Sequence, residues 1–359
     1  MIPQGLRAAF GRVPKSALVL GLVALACVFG PMLAPHPFDA VYRDHVRVAP
    51  SLSPRPDAAA LLAVAEDLAR RAGASLDEAE DAGEALLLRL SAITPIDAEA
   101  ILSLQPSGAF GRPRALEARD GGRELFVAVP LTRETFLFGT DANGRDLLAR
   151  TLWAGRVSLA VGLCASLVAL VVGVAYGATA GLAGGALDAA MMRVVEVIYA
   201  LPFIFFVIML AMVFGRRFSL IFVAVGAVEW LDMARLARGQ TLALKEKDYV
   251  AAARALGAGP FDVLRRHILP NAAGPILAFL AVVVARAIVL ESFVSFLGLG
   301  VQEPLTSWGA LIAEGARNIQ DAPHLLVAPA LFLGLTLAAL QSLGQTLEAR
   351  FALRETEGR

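Results

Sequence analysis

The chain has 359 residues, of which 57% are hydrophobic and 18% are charged, and its mean hydropathy is +0.65. This composition is too apolar for an ordinary soluble domain and indicates a membrane protein. Acidic and basic residues are equal in number, at 32 each, so the chain lacks the basic excess of a nucleic-acid-binding protein. We therefore expect no nucleic acid among its partners.

Apolar stretches long enough for a membrane helix recur along the chain. A hydrocarbon core takes about 20 helical residues to cross, and six stretches are candidates. The strongest cover residues 157–186, 191–215 and 276–290, and the weaker ones cover residues 16–35, 218–237 and 325–343. We predict an all-α polytopic membrane protein with six transmembrane helices, rather than a soluble protein with six buried core helices.

The N-terminal residues 1–15 precede the first apolar stretch and carry Arg7, Arg12 and Lys15, as a secretory signal would. Ala34-Pro35 makes a poor cleavage site, however, and further spans follow. We interpret residues 16–35 as a retained first helix, with signal cleavage as the alternative.

Residues 36–137 form a polar insert between the first two spans, with an acidic excess and no lysine. Its length and patterning predict a small α+β domain rather than a linker. The placement of basic residues in the chain predicts that this domain lies outside the cytoplasm. Two interpretations stay open, a structural addition or a docking surface for an extracytoplasmic partner.

Local patterns inside the insert predict three helices and a hairpin. Helical apolar spacing marks residues 58–71, and a capping box at Ser75 predicts a second helix over residues 75–90. Thr94-Pro95 predicts the start of a third helix. Alternation over residues 114–129, around an Asp-Gly-Gly turn, predicts a β-hairpin.

The placement of basic residues predicts the topology, because lysine and arginine concentrate on the cytoplasmic side of membrane proteins. The chain has three lysines: Lys15, Lys245 and Lys247. The N-terminus and residues 245–271 should therefore lie in the cytoplasm. Six spans bring the C-terminal tail, residues 348–359, to the same side. Arg216 and Arg217, in the short loop after the third span, would lie outside and contradict the rule.

A polar segment, DYVAAARALGAGPFDVLRRHILPN at residues 248–271, lies between the fourth and fifth apolar stretches. The pattern predicts a helix over residues 249–256, a glycine break, and a second helix that starts at Pro260. Ile268-Leu269-Pro270 is expected to close the unit before the next apolar run. Small side chains along the first helix let another surface approach closely, so we interpret the segment as a docking unit for a partner protein.

The sequence contains no recognisable constellation for catalysis or for binding nucleotide or metal. A P-loop ends in Gly-Lys-Ser/Thr, whereas the one Lys-Ser pair here, Lys15-Ser16, follows a proline. The glycine-bearing residues 139–146 lack the lysine of a phosphate loop and the terminal glutamate of an EF-hand. The histidines are scattered, and Cys27 and Cys164 are expected to be packing residues within spans. We predict a non-catalytic chain without a cofactor of its own.

Charged residues within spans are unfavourable in lipid and therefore mark candidate positions along a transport pathway. The candidates for pathway lining are Glu229, Asp232, Arg286 and Glu291. Glu229, Asp232 and Arg235 are spaced three apart, on one face of the fourth predicted span. Structural pairing between helices is the alternative to contact with a transported solute.

Residues 248–271 resemble the cytoplasmic EAA loop of binding-protein-dependent ABC importer permeases. The core of that loop is Glu-Ala-Ala, three residues, Gly, nine residues, Ile, one residue and Leu-Pro. The same spacing is found here, with Ala251 in place of the Glu and His267 in place of the Ile. The residues that the resemblance implies for coupling to an ATPase are Tyr249, Ala251, Ala252, Ala253, Arg254, Gly257, Ala258, Arg265, Arg266, Leu269 and Pro270.

Further blocks resemble the dipeptide, oligopeptide and nickel branch of these permeases. The blocks are Phe138-Gly139-Thr140-Asp141, Gly144-Arg145-Asp146, Arg156-Val157-Ser158-Leu159, residues 295–301 and Ser307-Trp308-Gly309. They imply a permease core over residues 138–347. The insert of residues 36–137 is longer than expected for the branch. Residues 344–350 also lack the Gly-Asp and Asp-Pro-Arg motifs of the branch.

The resemblance implies a multi-pass protein of the bacterial inner membrane with both termini in the cytoplasm. The implied partners are a second homologous permease subunit, two ATPase subunits that bind ATP and Mg²⁺, and an extracytoplasmic substrate-binding protein. Peptide is the first expected cargo, and nickel or another small solute is the second. A secondary transporter driven by an ion gradient and a membrane-embedded enzyme are the alternatives.

Overall fold

The computed structural model describes residues 14–43, 45–54, 56–103, 110–215 and 217–357. Arg7 and Arg12 of the predicted N-terminal segment lie outside the described residues, as does Arg216. His36–Leu148 forms one compact unit, and the described residues before and after it form a second, larger unit.

The chain is mostly helical, with one small sheet. The helices are α1 (Lys15–Leu33), α2 (Ala58–Arg71), α3 (Ala98–Ser103), α4 (Leu147–Ala183), α5 (Gly185–Tyr199), α6 (Phe203–Phe214), α7 (Phe218–Lys245), α8 (Asp248–Ala255), α9 (Pro260–Phe296), α10 (Trp308–Arg317) and α11 (His324–Glu357). The strands are β1 (Ser75–Asp81), β2 (Ala85–Ser91), β3 (Arg114–Arg119) and β4 (Glu124–Pro130). Helix α4 contains a π-helical turn at Ala169–Gly173, and α9 contains one at Leu264–Ile268.

The smaller unit is built on an antiparallel sheet in the order β1-β2-β4-β3. Every second side chain of β2 is buried, and its Leu86, Leu88 and Leu90 form a core with Leu61 and Leu68 of α2. The side chain of Asp57 caps α2 by accepting a hydrogen bond from the Ala60 N–H at 3.0 Å. The helix predicted over residues 58–71 is therefore confirmed.

The second predicted helix of the insert, over residues 75–90, is wrong. That stretch folds as β1 and β2, joined by a turn in which Gly83 has φ +83°. The capping-box pattern at Ser75 is a local signal. Apolar residues at every second position of β2 have the period of a strand instead, and pairing with β4 buries them on one face of the sheet.

The remaining local predictions in the insert agree with the structure in part. The hairpin predicted over residues 114–129 is confirmed as β3 and β4, with a turn at Asp120–Gly122. The third predicted helix exists as α3, but it begins at Ala98 rather than at Thr94-Pro95.

Among the described residues, α1, α4, α9 and the part of α11 that ends at Phe351 are long and apolar enough to cross a membrane. A fifth span results if α5 and α6 are counted together, although a bend of 76° separates them at a break that contains Pro202. Helix α7 is not in this set, and its 28 residues include Glu229 and Asp232. The fold is that of a polytopic membrane protein, while the six-span count stays a prediction.

Glycines bring α4 and α7 into close contact. A Cβ atom on Gly177 would lie 2.0 Å from the carbonyl oxygen of Ala234, and one on Gly173 would lie 2.7 Å from that of Trp230. Such distances leave no room for a side chain, so the two backbones approach directly, as small residues allow in membrane proteins. The contact holds the charged helix α7 against an apolar span.

Candidate functional site

Residues 248–271, hereafter the coupling segment, comprise α8, a glycine turn and the first turns of α9. Helix α8 ends in a Schellman motif. The Gly257 N–H donates to the Arg254 carbonyl at 2.9 Å, and the Ala258 N–H donates to the Ala253 carbonyl at 3.0 Å. Gly257 has φ +89°, a left-handed conformation that few residues other than glycine adopt. The sharp reversal between the two helices therefore depends on this glycine.

One face of the coupling segment is anchored to the helical unit. Val250, Val263 and Ile268 are fully buried and pack with Leu182 of α4 and Leu244 of α7. Burial of three aliphatic side chains fixes the segment against the ends of two long helices.

The opposite face of the coupling segment is open. The alanines Ala251 and Ala252 are exposed, and beyond them Leu256 is 90% exposed and Phe261 is 71% exposed. Sequence reasoning did not single out these two apolar side chains, of which Leu256 follows the last residue of α8 and Phe261 follows the first residue of α9. Their exposure marks the surface on which a partner could bury apolar area.

The structure brings the predicted coupling residues together on this segment with different exposures. Those that are exposed are Tyr249, Ala251, Ala252, Arg254, Gly257, Arg265, Arg266 and Pro270, and those that are half-buried are Ala253, Ala258 and Leu269. Arg266 Nε lies 3.3 Å from the Asp262 carboxylate, so this arginine also has a partner within its own helix.

The prediction that Ile268-Leu269-Pro270 closes the coupling segment is wrong. Helix α9 runs without a break from Pro260 to Phe296, and the Leu269 N–H donates to the Leu264 carbonyl across a π-helical turn. Proline lacks an N–H and would disturb an ordinary α-helix, whereas a π-helical turn redistributes the hydrogen bonds around it. The coupling segment and the fifth predicted span therefore share one helix.

Four charged side chains of α7 and α9 form a cluster within the helical unit. Arg286 Nη2 donates to the Asp232 carboxylate at 2.5 Å and lies 3.5 Å from Oε2 of Glu229. Arg235 Nη1 lies 3.5 Å from Asp232 Oδ1, and its guanidinium stands 4.2 Å from the ring centroid of Tyr199. The predicted grouping of Glu229, Asp232 and Arg235 is therefore completed by an arginine from another helix.

A cavity of about 490 Å³ adjoins this cluster. Glu229, Arg286, Tyr199 and Gln341 supply polar groups to its wall, and the other lining residues are apolar. The Arg286 side chain is 40% exposed, whereas Glu229 is fully buried. Two of the four candidate pathway residues therefore line one cavity, and Asp232 stands behind them as a partner of Arg286.

The structure places Glu291, the fourth candidate, elsewhere. It is fully buried, and its carboxylate accepts hydrogen bonds from Ser158 at 2.9 Å and Ser295 at 2.7 Å. The Trp308 N–H in turn lies 3.3 Å from the Ser158 hydroxyl oxygen. Ser158, Ser295 and Trp308 belong to three separate sequence blocks that carry the resemblance. Glu291 thus joins these blocks and does not line the cavity, a role that no local pattern signals.

A second charged site lies in the unit His36–Leu148. His36 Nδ1 and Nε2 each lie 2.8 Å from a carboxylate oxygen, of Asp146 and of Glu134 respectively. Both partners are acceptors, so the imidazole donates from both nitrogens and is charged. Burial disfavours that charge, but the hydrogen bonds to Glu134 and Asp146 outweigh it, and the pKa of His36 is raised above its ordinary value of 6.5.

Comparison with known proteins identifies the helical part of the chain. Residues 173–354 match the family described as binding-protein-dependent transport system inner membrane component. An oligopeptide transport system permease protein of Escherichia coli K12 is 50% identical over 223 residues, which are 62% of this chain and 74% of that protein.

Two further relatives extend the comparison. The corresponding protein of Haemophilus influenzae is 46% identical over 62% of this chain and 72% of its own length. A dipeptide transport system permease protein of Bacillus subtilis is 42% identical over 59% of this chain and 66% of its own length. The chain belongs to the family of binding-protein-dependent transport systems, as one of their non-catalytic inner membrane components.

Proposed function

We propose that this chain is the permease subunit of an ATP-driven peptide importer and forms half of its translocation pathway. The relatives named for oligopeptide and dipeptide transport support peptide as the cargo class. Cargo specificity within that class is expected to lie largely in the extracytoplasmic binding protein.

The coupling segment is proposed to dock in a groove of an ATPase subunit. The observation that carries this role is its construction, with one face anchored by Val250, Val263 and Ile268 and the other presenting small residues beside exposed Leu256 and Phe261. The exposed Arg254 and Arg265 supply positive charge for acidic groups on the partner.

The continuity of α9 suggests how a displacement of the coupling segment reaches the pathway. Pro260 and Arg286 are 26 positions apart on α9, which corresponds to about 39 Å at 1.5 Å per residue. One helix therefore joins the docking surface to the charged cavity. Movement of the segment would be transmitted along α9 to Arg286, so that nucleotide could bias a two-state gate.

The proposed topology has six spans, with α7 as the fourth and the pair α5 and α6 as the third. Arg235 and Arg286 balance the charges of Glu229 and Asp232, which supports a membrane position for α7 because an unbalanced charge is unfavourable in lipid. The insert of residues 36–137 would be extracytoplasmic, residues 138–347 would form the permease core, and both termini would be cytoplasmic. The proposed partners are a second permease, two ATPase subunits and a binding protein.

Reconstitution of the complete set of subunits in proteoliposomes tests this function. We expect uptake of a labelled tripeptide that requires ATP and the binding protein. Uptake driven by an ion gradient with this chain alone would instead identify a secondary transporter. Uptake of Ni²⁺ without uptake of tripeptide would instead identify nickel as the cargo.

A further inference from the structure

Glu229 lacks a hydrogen-bond donor in a place where a carboxylate needs one. The residue is fully buried, and neither of its carboxylate oxygens has a hydrogen-bond partner in the described part of the chain. Arg286 lies beside it at 3.5 Å, which is too long for a good hydrogen bond, and donates to Asp232 at 2.5 Å instead. A buried carboxylate without donors is unfavourable, so the cluster is short of one donor group.

The two arginines of the cluster do not supply that donor. Both approach Asp232, Arg286 at 2.5 Å and Arg235 at 3.5 Å, and Arg235 also lies over the ring of Tyr199. The charge that remains without hydrogen bonds is therefore that of Glu229. A primary ammonium group, with three N–H donors and one positive charge, meets this need.

The neighbouring groups match one particular kind of ammonium. Glu229 presents an acceptor next to the guanidinium donors of Arg286, and the two groups lie 3.5 Å apart. The amino-terminal residue of a peptide presents the complementary pair, an ammonium donor and its own carbonyl acceptor. Standard bond lengths place those two atoms roughly 3 Å apart. One peptide terminus can therefore engage both side chains.

The rest of the cavity is apolar and could hold different apolar side chains of a peptide's first residue. Ile198, Leu201, Val228, Val289 and Leu337 line it together with other apolar residues. Its volume of about 490 Å³ lies within the range of sites that hold small ligands, about 300–1,000 Å³. Charge contacts at the main-chain terminus and apolar contacts elsewhere would accept many peptide sequences.

We propose that this cavity binds the amino-terminal residue of the transported peptide, with the ammonium group on Glu229 and the first carbonyl oxygen on Arg286. The inference rests on the proposed function of peptide import. Glu229 is fully buried beside the 40% exposed side chain of Arg286, so contact with the ammonium group requires the Arg286 side chain to move aside. The carboxyl terminus of the peptide makes no contact with this cluster.

The test uses the complete importer in proteoliposomes, with saturating binding protein and labelled trialanine as the probe. Glu229→Gln should lower the maximal rate of uptake about ten- to hundredfold, because it removes a charge-assisted hydrogen bond. Glu229→Asp, which keeps the carboxylate, should restore much of the rate. Glu196→Gln is the matched control, since Glu196 is an exposed carboxylate paired with Arg193 and should leave uptake unchanged.

Two further measurements separate ligand contact from a structural role. Trialanine amide should show the same dependence on Glu229 as trialanine, because only the amino terminus is engaged. The complex trapped with orthovanadate should retain less labelled trialanine in Glu229→Gln than in the wild type, while copurification with the ATPase subunits is preserved.

Wild-type uptake reports on the proposed function, and the ratio of variant to wild type reports on this inference. Wild-type rates and retention in Glu229→Gln would overturn the inference. So would equal losses in Glu229→Gln and Glu229→Asp together with failed copurification. Loss of trialanine amide uptake in the wild type, with Glu229→Gln unaffected on trialanine, would assign the cavity to the carboxyl terminus instead.

Discussion

Replacement of Gly257 should weaken the link between the coupling segment and transport, and proline should have a larger effect than alanine. Gly257 has φ +89°, and its N–H closes the end of α8 by donating to Arg254 at 2.9 Å. An alanine meets no atom within 4 Å, so its cost is conformational, about 1–2 kcal/mol for a left-handed residue. Proline can adopt neither this φ nor this hydrogen bond, at a cost of about 3 kcal/mol or more. The native turn then becomes roughly tenfold rarer with alanine and over a hundredfold rarer with proline.

ATP-driven peptide uptake and copurification with the ATPase subunits measure this effect. The expected order is wild type, then Gly257→Ala, then Gly257→Pro, with uptake nearly abolished in the last. Gly259→Ala is the matched control, because Gly259 has an ordinary φ of −70° and open space around its Cβ position. All variants should reach the membrane, since the buried anchor of the segment is untouched. Near-wild-type uptake by Gly257→Pro would refute the coupling role of this turn.

Three further outcomes follow from the packing and the charges. Glu291→Ala should lower the stability of the purified protein by about 2–4 kcal/mol, seen as a lower Tm, because it removes the acceptor of two buried serine hydroxyls and leaves a void. Protonated His36 stabilises its unit fully below pH 6.5, and this contribution is lost as pH rises through the raised folded pKa. The Tm should therefore fall with pH above 6.5, and this part of the slope should be absent in His36→Gln. Gly177→Val should prevent the close approach of α4 to Ala234 and reduce the yield of folded protein. Gly239→Ala is the control, because no atom lies within 4 Å of its Cβ position, and its yield should be unchanged. Equal yields of the two variants would contradict the packing argument.

Predictions from the sequence succeeded where the signal is local and the surroundings agree with it. Helical apolar spacing predicts α2 with its observed bounds, and in the structure the Asp57 cap and the burial against the sheet favour the same helix. The reversal at Gly257 was likewise predictable, since glycine after an alanine-rich helix is the usual residue for such a turn.

Local signals failed where a neighbour decided the outcome. The capping box at Ser75 predicted a helix, but β4 offers β2 a full set of hydrogen bonds and a face on which to bury its leucines. Pro270 predicted a helix end, but the π-helical turn before it lets α9 continue. For β2, the competing interaction comes from β4, which is distant in the sequence. For α9, it comes from a hydrogen-bond register that residue type does not specify.

The membrane character, the apolar helices and the two-helix form of the coupling segment are predictable from the amino-acid sequence, because composition, hydropathy and turn chemistry are local properties. Which charged side chains meet depends on how the helices pack. Arg286 bonds to Asp232, 54 positions away, and Glu291 bonds to Ser158, 133 positions away. Four charged residues that look equivalent in the sequence therefore divide into a cavity with an unsatisfied carboxylate and a buried structural junction. Their partners are set by helix packing, which brings together positions that are far apart in the sequence.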